Sequence, residues 1–263
     1  EVRKAMKRAG NPRKAAGKDG MPPGMLRTME KSTELVSLYV LLINVAYRFG
    51  WWPKGWNDLP VTALPKPGKS LALIGGWRGV HLVVADAKWG DMIMRTKVEK
   101  EARQTPWQFA YKRKTGTCDA IFLLLFVIAR MEVLSVAFVD FTRAFDEVRL
   151  EKLKEKLRNF KAGVEEGLIR WVEASLEKVR ARVKGTSMWY PEDKGLKQGG
   201  LSGPSLYSVY THDLPEEVGK RRGQRRQTDR QRPKVSAGEN GRWVDFLTPL
   251  FADDTTLLES SER

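Results

Sequence analysis

Residues 133–146 read VLSVAFVDFTRAFD and join an apolar run to two carboxylates. Six of the first seven residues are apolar and three of them are β-branched valines, which predicts a buried strand over 133–139. The strand ends at Asp140, and Asp146 follows six residues later. An acid directly after a strand often caps a turn, but such a position is also rigid enough to serve a catalytic or metal site.

A second acidic site lies in FADDTTLL, residues 251–258, where two adjacent aspartates interrupt a β-prone segment. Burying adjacent carboxylates in an apolar strand is costly without a cation, so the pattern predicts that Asp253 and Asp254 lie at a hairpin tip. If Asp140 and Asp253 meet in space, their oxygen ligands suit Mg²⁺ better than zinc. A pair of such ions is a common device for phosphoryl or nucleotidyl transfer.

The remaining sequence predicts interleaved helices and strands, and therefore a mixed α and β core. Residues 34–49 have the composition of a buried helix, with Ser32 and Thr33 as N-cap candidates and Gly50 at the end. Residues 120–130 are apolar enough to form a core helix. The other expected elements are a strand pair at 61–64 and 79–84, helices at 150–160 and 168–177, a strand at 178–184, and a helix at 205–212 behind a Gly-rich run at 195–204.

Composition limits the classes of function. The 263 residues include 47 Lys and Arg against 32 Asp and Glu, a formal net charge of +15, which favours a polyanionic partner. One cysteine and two histidines exclude a disulfide framework and a closed zinc site, and favour a reducing, intracellular compartment. The longest apolar stretches, 35–47 and 120–129, are too short to cross a membrane, so no membrane partner is expected.

The excess charge concentrates between residues 220 and 234, where eight Lys or Arg accompany a single acid. Because the run has no apolar period, it predicts a basic, disordered insertion over 219–242. Such a run is equally typical of a solvated loop and of a nucleic-acid-binding patch. The candidate contacts to nucleic acid are Lys220, Arg221, Arg222, Arg225 and Arg226.

Three runs of the sequence, taken in order, resemble successive motifs of reverse transcriptases, with the strongest likeness to LINE-type, non-LTR retrotransposons. These runs are residues 140–146, GLKQGGLSGP at 195–204, and FADD at 251–254. The resemblance extends over about residues 10–260 through weaker upstream features. These are AGKDGMP at 16–22, LPKPGK at 64–69 with Trp77 and Arg78, and QFAY at 108–111 with the segment 115–121.

The resemblance implies an α+β fold built as the fingers and palm of a right-hand polymerase. Residues 1–130 would form mainly the fingers and residues 131–263 mainly the palm, an antiparallel sheet backed by helices. The chain ends nine residues after Asp254, before the position where the family's helical thumb follows, so no thumb is expected.

The resemblance also implies roles for individual residues. Asp140 and Asp253 would bind two Mg²⁺ ions, for which Mn²⁺ is the expected substitute, and the backbone carbonyl of Phe141 would reach one of them. Asp254 would support the pair as the second acid. The implied nucleotide-binding residues are Lys66 and Arg78 on the triphosphate, Phe145 beneath the sugar, and Gln198 and Gly199 beside the base.

The implied activity is RNA-templated DNA synthesis, with an RNA template, a DNA primer and dNTPs as partners. An RNA-templated RNA polymerase and a catalytically silent nucleic-acid-binding relative are the alternatives. The bulky Phe145 argues against the first, and intact Asp140, Asp253 and Asp254 argue against the second. The chain departs from the family pattern at Gly79 and Val80, where Pro and Ile are common, and at Ala110, where Gly is common.

Overall fold

A computed structural model of the chain describes residues 1–102, 104–112, 114–131, 134–160, 163–218, 234–236, 243–245 and 248–260. Helices and strands are interleaved along the sequence, which confirms the expected mixed α+β fold class. The helices are α1 Val2–Ala9, α2 Met25–Met29, α3 Thr33–Phe49, α4 Ala85–Glu101, α5 Thr117–Arg130, α6 Leu150–Arg158, α7 Glu166–Leu176 and α8 Gly203–Tyr210. The strands are β1 Asp58–Pro65, β2 Trp77–His81, β3 Leu134–Val139, β4 Val179–Val183, β5 Tyr190–Glu192, β6 Lys234–Ser236, β7 Trp243–Asp245, β8 Leu250–Phe251 and β9 Asp254–Ser260.

The chain divides into two compact units, the first of which comprises Glu1–Arg103 and Phe145–Leu206. Its sheet has the strand order β2-β1-β4-β5. Strand β1 pairs antiparallel with β2 and parallel with β4, and Val61 therefore lies beside both His81 and Val183. The expected strand pair and the strand expected at 178–184 are confirmed, although β2 covers Trp77–His81 rather than the expected 79–84.

Tryptophans fill the core of this first unit. Trp89 and Trp171 are fully buried on α4 and α7. Trp56 meets Trp89 edge-on at 6.5 Å between ring centroids, and Trp52 meets Trp56 at 5.0 Å. Edge-to-face contacts at these distances add to the stabilisation from buried area, so the loop before β1 is anchored on the helices.

Helix α3 has the ends expected from the sequence but not the expected burial. The Ser32 side chain accepts a hydrogen bond from the Leu35 amide at 3.2 Å, and Gly50 ends the helix at φ 61°. One face of the helix packs on α7, whereas Leu38 and Phe49 are 61% and 68% exposed. The prediction of a buried helix was therefore wrong, because apolar composition does not show which face finds a partner.

The second unit comprises Gln104–Ala144 and Tyr207–Arg263. Its antiparallel sheet has the order β3-β9-β8, and α5 covers part of it. Val127 on α5 and Leu258 on β9 are fully buried and are surrounded by further apolar side chains. The expected core helix and buried strand are only half correct, since Phe122 on α5 is 71% exposed and Phe138 on β3 is 74% exposed.

Little of the expected basic insertion, residues 219–242, falls within the described residues. Residues 234–236 form β6, which pairs antiparallel with β7. The rest of that insertion lies outside the described residues. No helix in the described part of the chain combines the length and apolarity that crossing a membrane requires.

Replacing Leu258 by Ala should lower the free energy of unfolding by about 2–5 kcal/mol, because the change leaves a cavity beneath α5. The matched control is Phe138→Ala on the neighbouring strand, where the ring is exposed and the cost should stay within about 0.5 kcal/mol. Urea unfolding followed by circular dichroism measures both values. Equal costs for the two variants would contradict this account of the second unit's core.

Candidate active site

The three candidate catalytic acids lie at one end of the β3-β9-β8 sheet. Strand β3 pairs with β9 from Leu134 opposite Ser260 to Val139 opposite Thr255. Continuing this antiparallel register by one residue sets Asp140 opposite Asp254. Phe251 pairs with Asp254, so that Ala252 and Asp253 form the turn between β8 and β9. The expected hairpin is confirmed, with Asp253 in its turn and Asp254 as the first residue of β9. The fold thus brings acids that are distant in sequence to one end of the sheet.

Burial and the negative charge of the acids raise the pKa values of several groups at this end of the sheet. Burial, followed by the charges of Asp253 and Asp140, raises the pKa of Asp254 above its ordinary value. Burial and the charge of Asp253 also raise the pKa of Tyr111, and together with neighbouring tyrosines they raise that of Tyr207 to about 12. The raised pKa of Asp254 indicates that negative charge is concentrated at this end of the sheet.

The acids at this end of the sheet carry carboxylate oxygens, the donor type that Mg²⁺ prefers. No described Lys or Arg forms an ion pair with Asp140, Asp253 or Asp254. Within the described ranges, no group of three or more His, Cys, Asp or Glu is arranged to hold a metal by itself. Mg²⁺ is commonly bound by one or two carboxylates and completed by water and substrate phosphates. The exposed carboxylates of Asp140 and Asp254 and the partly exposed one of Asp253 would be such a partial ligand set.

In the first unit, the Gly-rich loop lies against the segment that begins with Phe145. The Leu196 amide donates to the Phe145 carbonyl at 2.9 Å, and the Gln198 side chain donates to Asp146. A methyl group added at Gly203 would lie 3.7 Å from the Phe145 ring. Three of the residues expected to bind nucleotide, Phe145, Gln198 and Gly199, are therefore neighbours.

Position 199 requires a glycine because of its backbone conformation and its close approach to β2. Its φ of +128° is unfavourable for residues with a side chain, and an added Cβ would lie 2.4 Å from the His81 carbonyl oxygen. The His81 amide donates to the Gln198 carbonyl at 2.6 Å, which ties the loop to the end of β2. No other residue type could follow this path beside the strand.

Lys66 and Arg78 lie on the β1–β2 hairpin of the same unit. Arg78 is exposed and pairs across the ladder with Leu64. Lys66 begins the connecting loop, and its ammonium donates to the Gly75 carbonyl at 3.2 Å.

Phe141, in the second unit, follows β3 and is 39% exposed. Residues Lys220, Arg221, Arg222, Arg225 and Arg226 lie outside the described residues.

Asp91 on α4 anchors the Gly-rich loop and was not identified from the sequence. It is 7% exposed and accepts hydrogen bonds from the Leu201 amide, from the Ser202 amide at 3.1 Å, and from the Ser202 hydroxyl. The available signal was its spacing, because Ala87, Asp91, Met94 and Val98 share one helix face. A carboxylate on an apolar stripe needs partners, and this loop supplies them.

Lys197, within the Gly-rich loop, is another polar residue whose contacts hold the loop in place. Its ammonium donates to the Asn57 side-chain oxygen at 2.6 Å and lies 5.1 Å from the centroid of the Trp52 ring. Burial lowers the pKa of Lys197 to about 8, partly offset by the charges of Asp91 and Glu192. The loop therefore carries a lysine whose charge is costly near neutral pH.

Comparison with known proteins identifies a matching family. The family model described as "Reverse transcriptase (RNA-dependent DNA polymerase)" matches residues 64–263. Over 217 residues the chain is 27% identical to the "RNA-directed DNA polymerase from mobile element jockey" of Drosophila funebris, covering 78% of this chain and 23% of that protein.

Two relatives from Drosophila melanogaster agree with this match. The jockey polymerase of that species is 23% identical over 267 residues, or 95% of this chain and 26% of the relative. The "Probable RNA-directed DNA polymerase from transposon BS" is 28% identical over 188 residues, or 68% of this chain and 21% of the relative. The chain spans about a quarter of the length of these curated relatives.

Lys197 should make stability depend on pH. The folded-state pKa of about 8 lies below the ordinary value of 10.5, so the unfolded chain binds more protons between these values. The free energy of unfolding should therefore gain up to about 3 kcal/mol from this group as pH rises from 8 to 10.5. In Lys197→Met this contribution should vanish, as measured by urea unfolding across that range. Identical slopes in the parent and the variant would contradict it.

Proposed function

The chain belongs to the reverse transcriptase family, and we propose that it joins dNTPs to the 3′-hydroxyl of a DNA primer under the direction of an RNA template. The observation that carries this proposal is the meeting of Asp140, Asp253 and Asp254 at one end of the β3-β9-β8 sheet. An RNA polymerase would use the same three acids, so the choice of DNA synthesis rests on Phe145, whereas a silent binding domain would have no need of the gathered carboxylates.

The acids supply the metal site of the proposed reaction. Asp140 and Asp253 would hold two Mg²⁺ ions, or Mn²⁺ in their place, together with the Phe141 carbonyl. When bound, the ions would favour ionisation of the primer hydroxyl and stabilise the departing pyrophosphate. Asp254 would reinforce the negative potential at this end of the sheet, and its pKa, raised by burial and then by the charges of Asp253 and Asp140, supports this role.

Cations and the Gly-rich loop would position the incoming nucleotide. Lys66 and Arg78 would bind the triphosphate and offset its charge during the in-line displacement. Gln198 and Gly199 would line the pocket beside the base, where the exposed main chain of a glycine permits close approach. The hydrogen bonds to Phe145, Asp146 and His81 support a loop that is rigid before the substrate arrives.

Phe145 would select deoxyribonucleotides. An aromatic ring beneath the sugar leaves no room for a 2′-hydroxyl, which favours dNTPs over rNTPs. The template sequence would be read by base pairing, so the protein would contact mainly the nucleic-acid backbone. Under this proposal residues 1–130 act mainly as fingers and residues 131–263 mainly as palm, and the five basic residues between 220 and 226 bind nucleic acid.

Asp253→Asn should lower primer extension on an RNA template by about a hundredfold or more, because a metal-binding carboxylate becomes a neutral amide. The fold should persist, since Asp253 lies in a partly exposed turn. Extension in the presence of Mg²⁺ is measured alongside circular dichroism. Asp193→Asn, an exposed acid at the end of β5, is the matched control and should extend primers at the parent rate.

Two outcomes would count against the proposal. Extension by Asp253→Asn at the parent rate would remove the metal-binding role of that residue. Failure of the parent chain to extend any primer with Mg²⁺ or Mn²⁺, while it remains folded, would contradict the proposed activity of these 263 residues.

Phe145→Val should admit ribonucleotides. Removing the ring opens space beneath the sugar, so the preference for dNTPs over rNTPs in kcat/KM should fall by at least about tenfold. Single-nucleotide incorporation with each substrate measures this ratio. An unchanged ratio would show that Phe145 does not contact the sugar, and a parent enzyme that prefers rNTPs would favour the RNA polymerase alternative.

A further inference from the structure

The segment around Gln108 runs beside β8 and is hydrogen-bonded to it through the main chain. The Leu250 amide donates to the Trp107 carbonyl, and the Phe109 amide donates to the Leu250 carbonyl, both at 2.8 Å. Gln108 and Leu250 thus form a parallel bridge. The expectations for the active site gave this segment no role, yet it lies directly beside the turn that carries Asp253.

The Gln108 side chain is 1% exposed and binds both polar groups of one residue in that turn. Its oxygen accepts from the Ala252 amide and from the Ala110 amide, each at 3.0 Å. Its nitrogen donates to the Ala252 carbonyl at 3.3 Å. Two N–H donors meet one end of the amide and a carbonyl meets the other, so the hydrogen-bond network fixes the orientation of the amide.

Ala252 needs such support because its backbone is strained. Its φ of +57° lies in the left-handed region, which is unfavourable for a residue with a Cβ. Residues in that region persist when surrounding contacts over-determine them. Gln108 satisfies the amide and the carbonyl of Ala252 together, and so fixes the main chain directly before Asp253.

We propose that Gln108 is a positioning residue for Asp253: its buried amide holds the β8–β9 turn in the conformation that presents this acid at the sheet edge. The proposal rests on the proposed function for its catalytic consequence. Its structural part, the clamping of Ala252, stands on the hydrogen bonds alone. An apolar side chain of the same size would fill the space but leave both Ala252 groups without this partner.

The test compares Gln108→Met with the matched control Gln104→Met. Methionine has a similar volume and removes the three hydrogen bonds of Gln108. Gln104 lies in the same segment, and its side-chain amide has no hydrogen-bond partner among the described residues. Hydrogen exchange of peptides covering residues 250–253 should become about tenfold faster or more in Gln108→Met and stay at the parent rate in Gln104→Met.

The same variants separate positioning from general stability. In Gln108→Met, kcat for primer extension should fall by about tenfold or more, while the KM for dNTP stays within about twofold. Gln104→Met should keep both constants. Exchange accelerated throughout residues 104–144, with the folded circular dichroism spectrum retained, would instead mean a purely structural role and would overturn the proposal.

Gln108→Glu decides the matter if the methionine variant does not fold. An ionised Glu keeps an acceptor for the two amides but cannot donate to the Ala252 carbonyl, so exchange in the turn should fall between parent and Gln108→Met. Parent-like exchange in every Gln108 variant overturns the proposal. A parent chain without extension activity would contradict the proposed function, while the exchange result would still decide whether Gln108 clamps the turn.

Discussion

The antiparallel pairing of β3 with β9 is the constraint on which the acidic site depends. Six consecutive residue pairs, from Leu134–Ser260 to Val139–Thr255, fix the register. A shift by one residue would turn Leu258 away from Val127 and α5, so the apolar packing makes such a slip costly. The same register sets Asp140 opposite Asp254. The hydrophobic core of the second unit therefore determines which carboxylates meet.

The Gly-rich loop of the first unit depends on a different constraint. Its path requires a residue without a side chain at 199, next to the His81 carbonyl, and a buried acceptor for the amides of Leu201 and Ser202. Asp91 supplies that acceptor from α4. The loop is held by main-chain hydrogen bonds and by two carboxylates, since Asp91 binds the Leu201 and Ser202 amides and Asp146 accepts from the Gln198 side chain.

Local sequence patterns predicted much of this arrangement, and the misses share one physical cause. The strand before Asp140, the hairpin tip at Asp253 and the caps of α3 follow from patterns within a few residues. Asp91 and Gln108 form hydrogen bonds to residues 110 or more positions away, and no local pattern shows which distant residue a buried polar side chain will bind. The exposed faces of α3 and α5 were missed because composition records how apolar a helix is and not what covers it.

We propose that Asp140 and Asp253 bind divalent metal ions together. The most direct measurement is anomalous X-ray scattering from crystals of the chain grown with Mn²⁺, an RNA–DNA primer–template and a non-hydrolysable dNTP. We expect anomalous peaks within bonding distance of both carboxylates, at the end of the β3-β9-β8 sheet. Peaks located only elsewhere on the protein, with these two carboxylates free of metal, would contradict it.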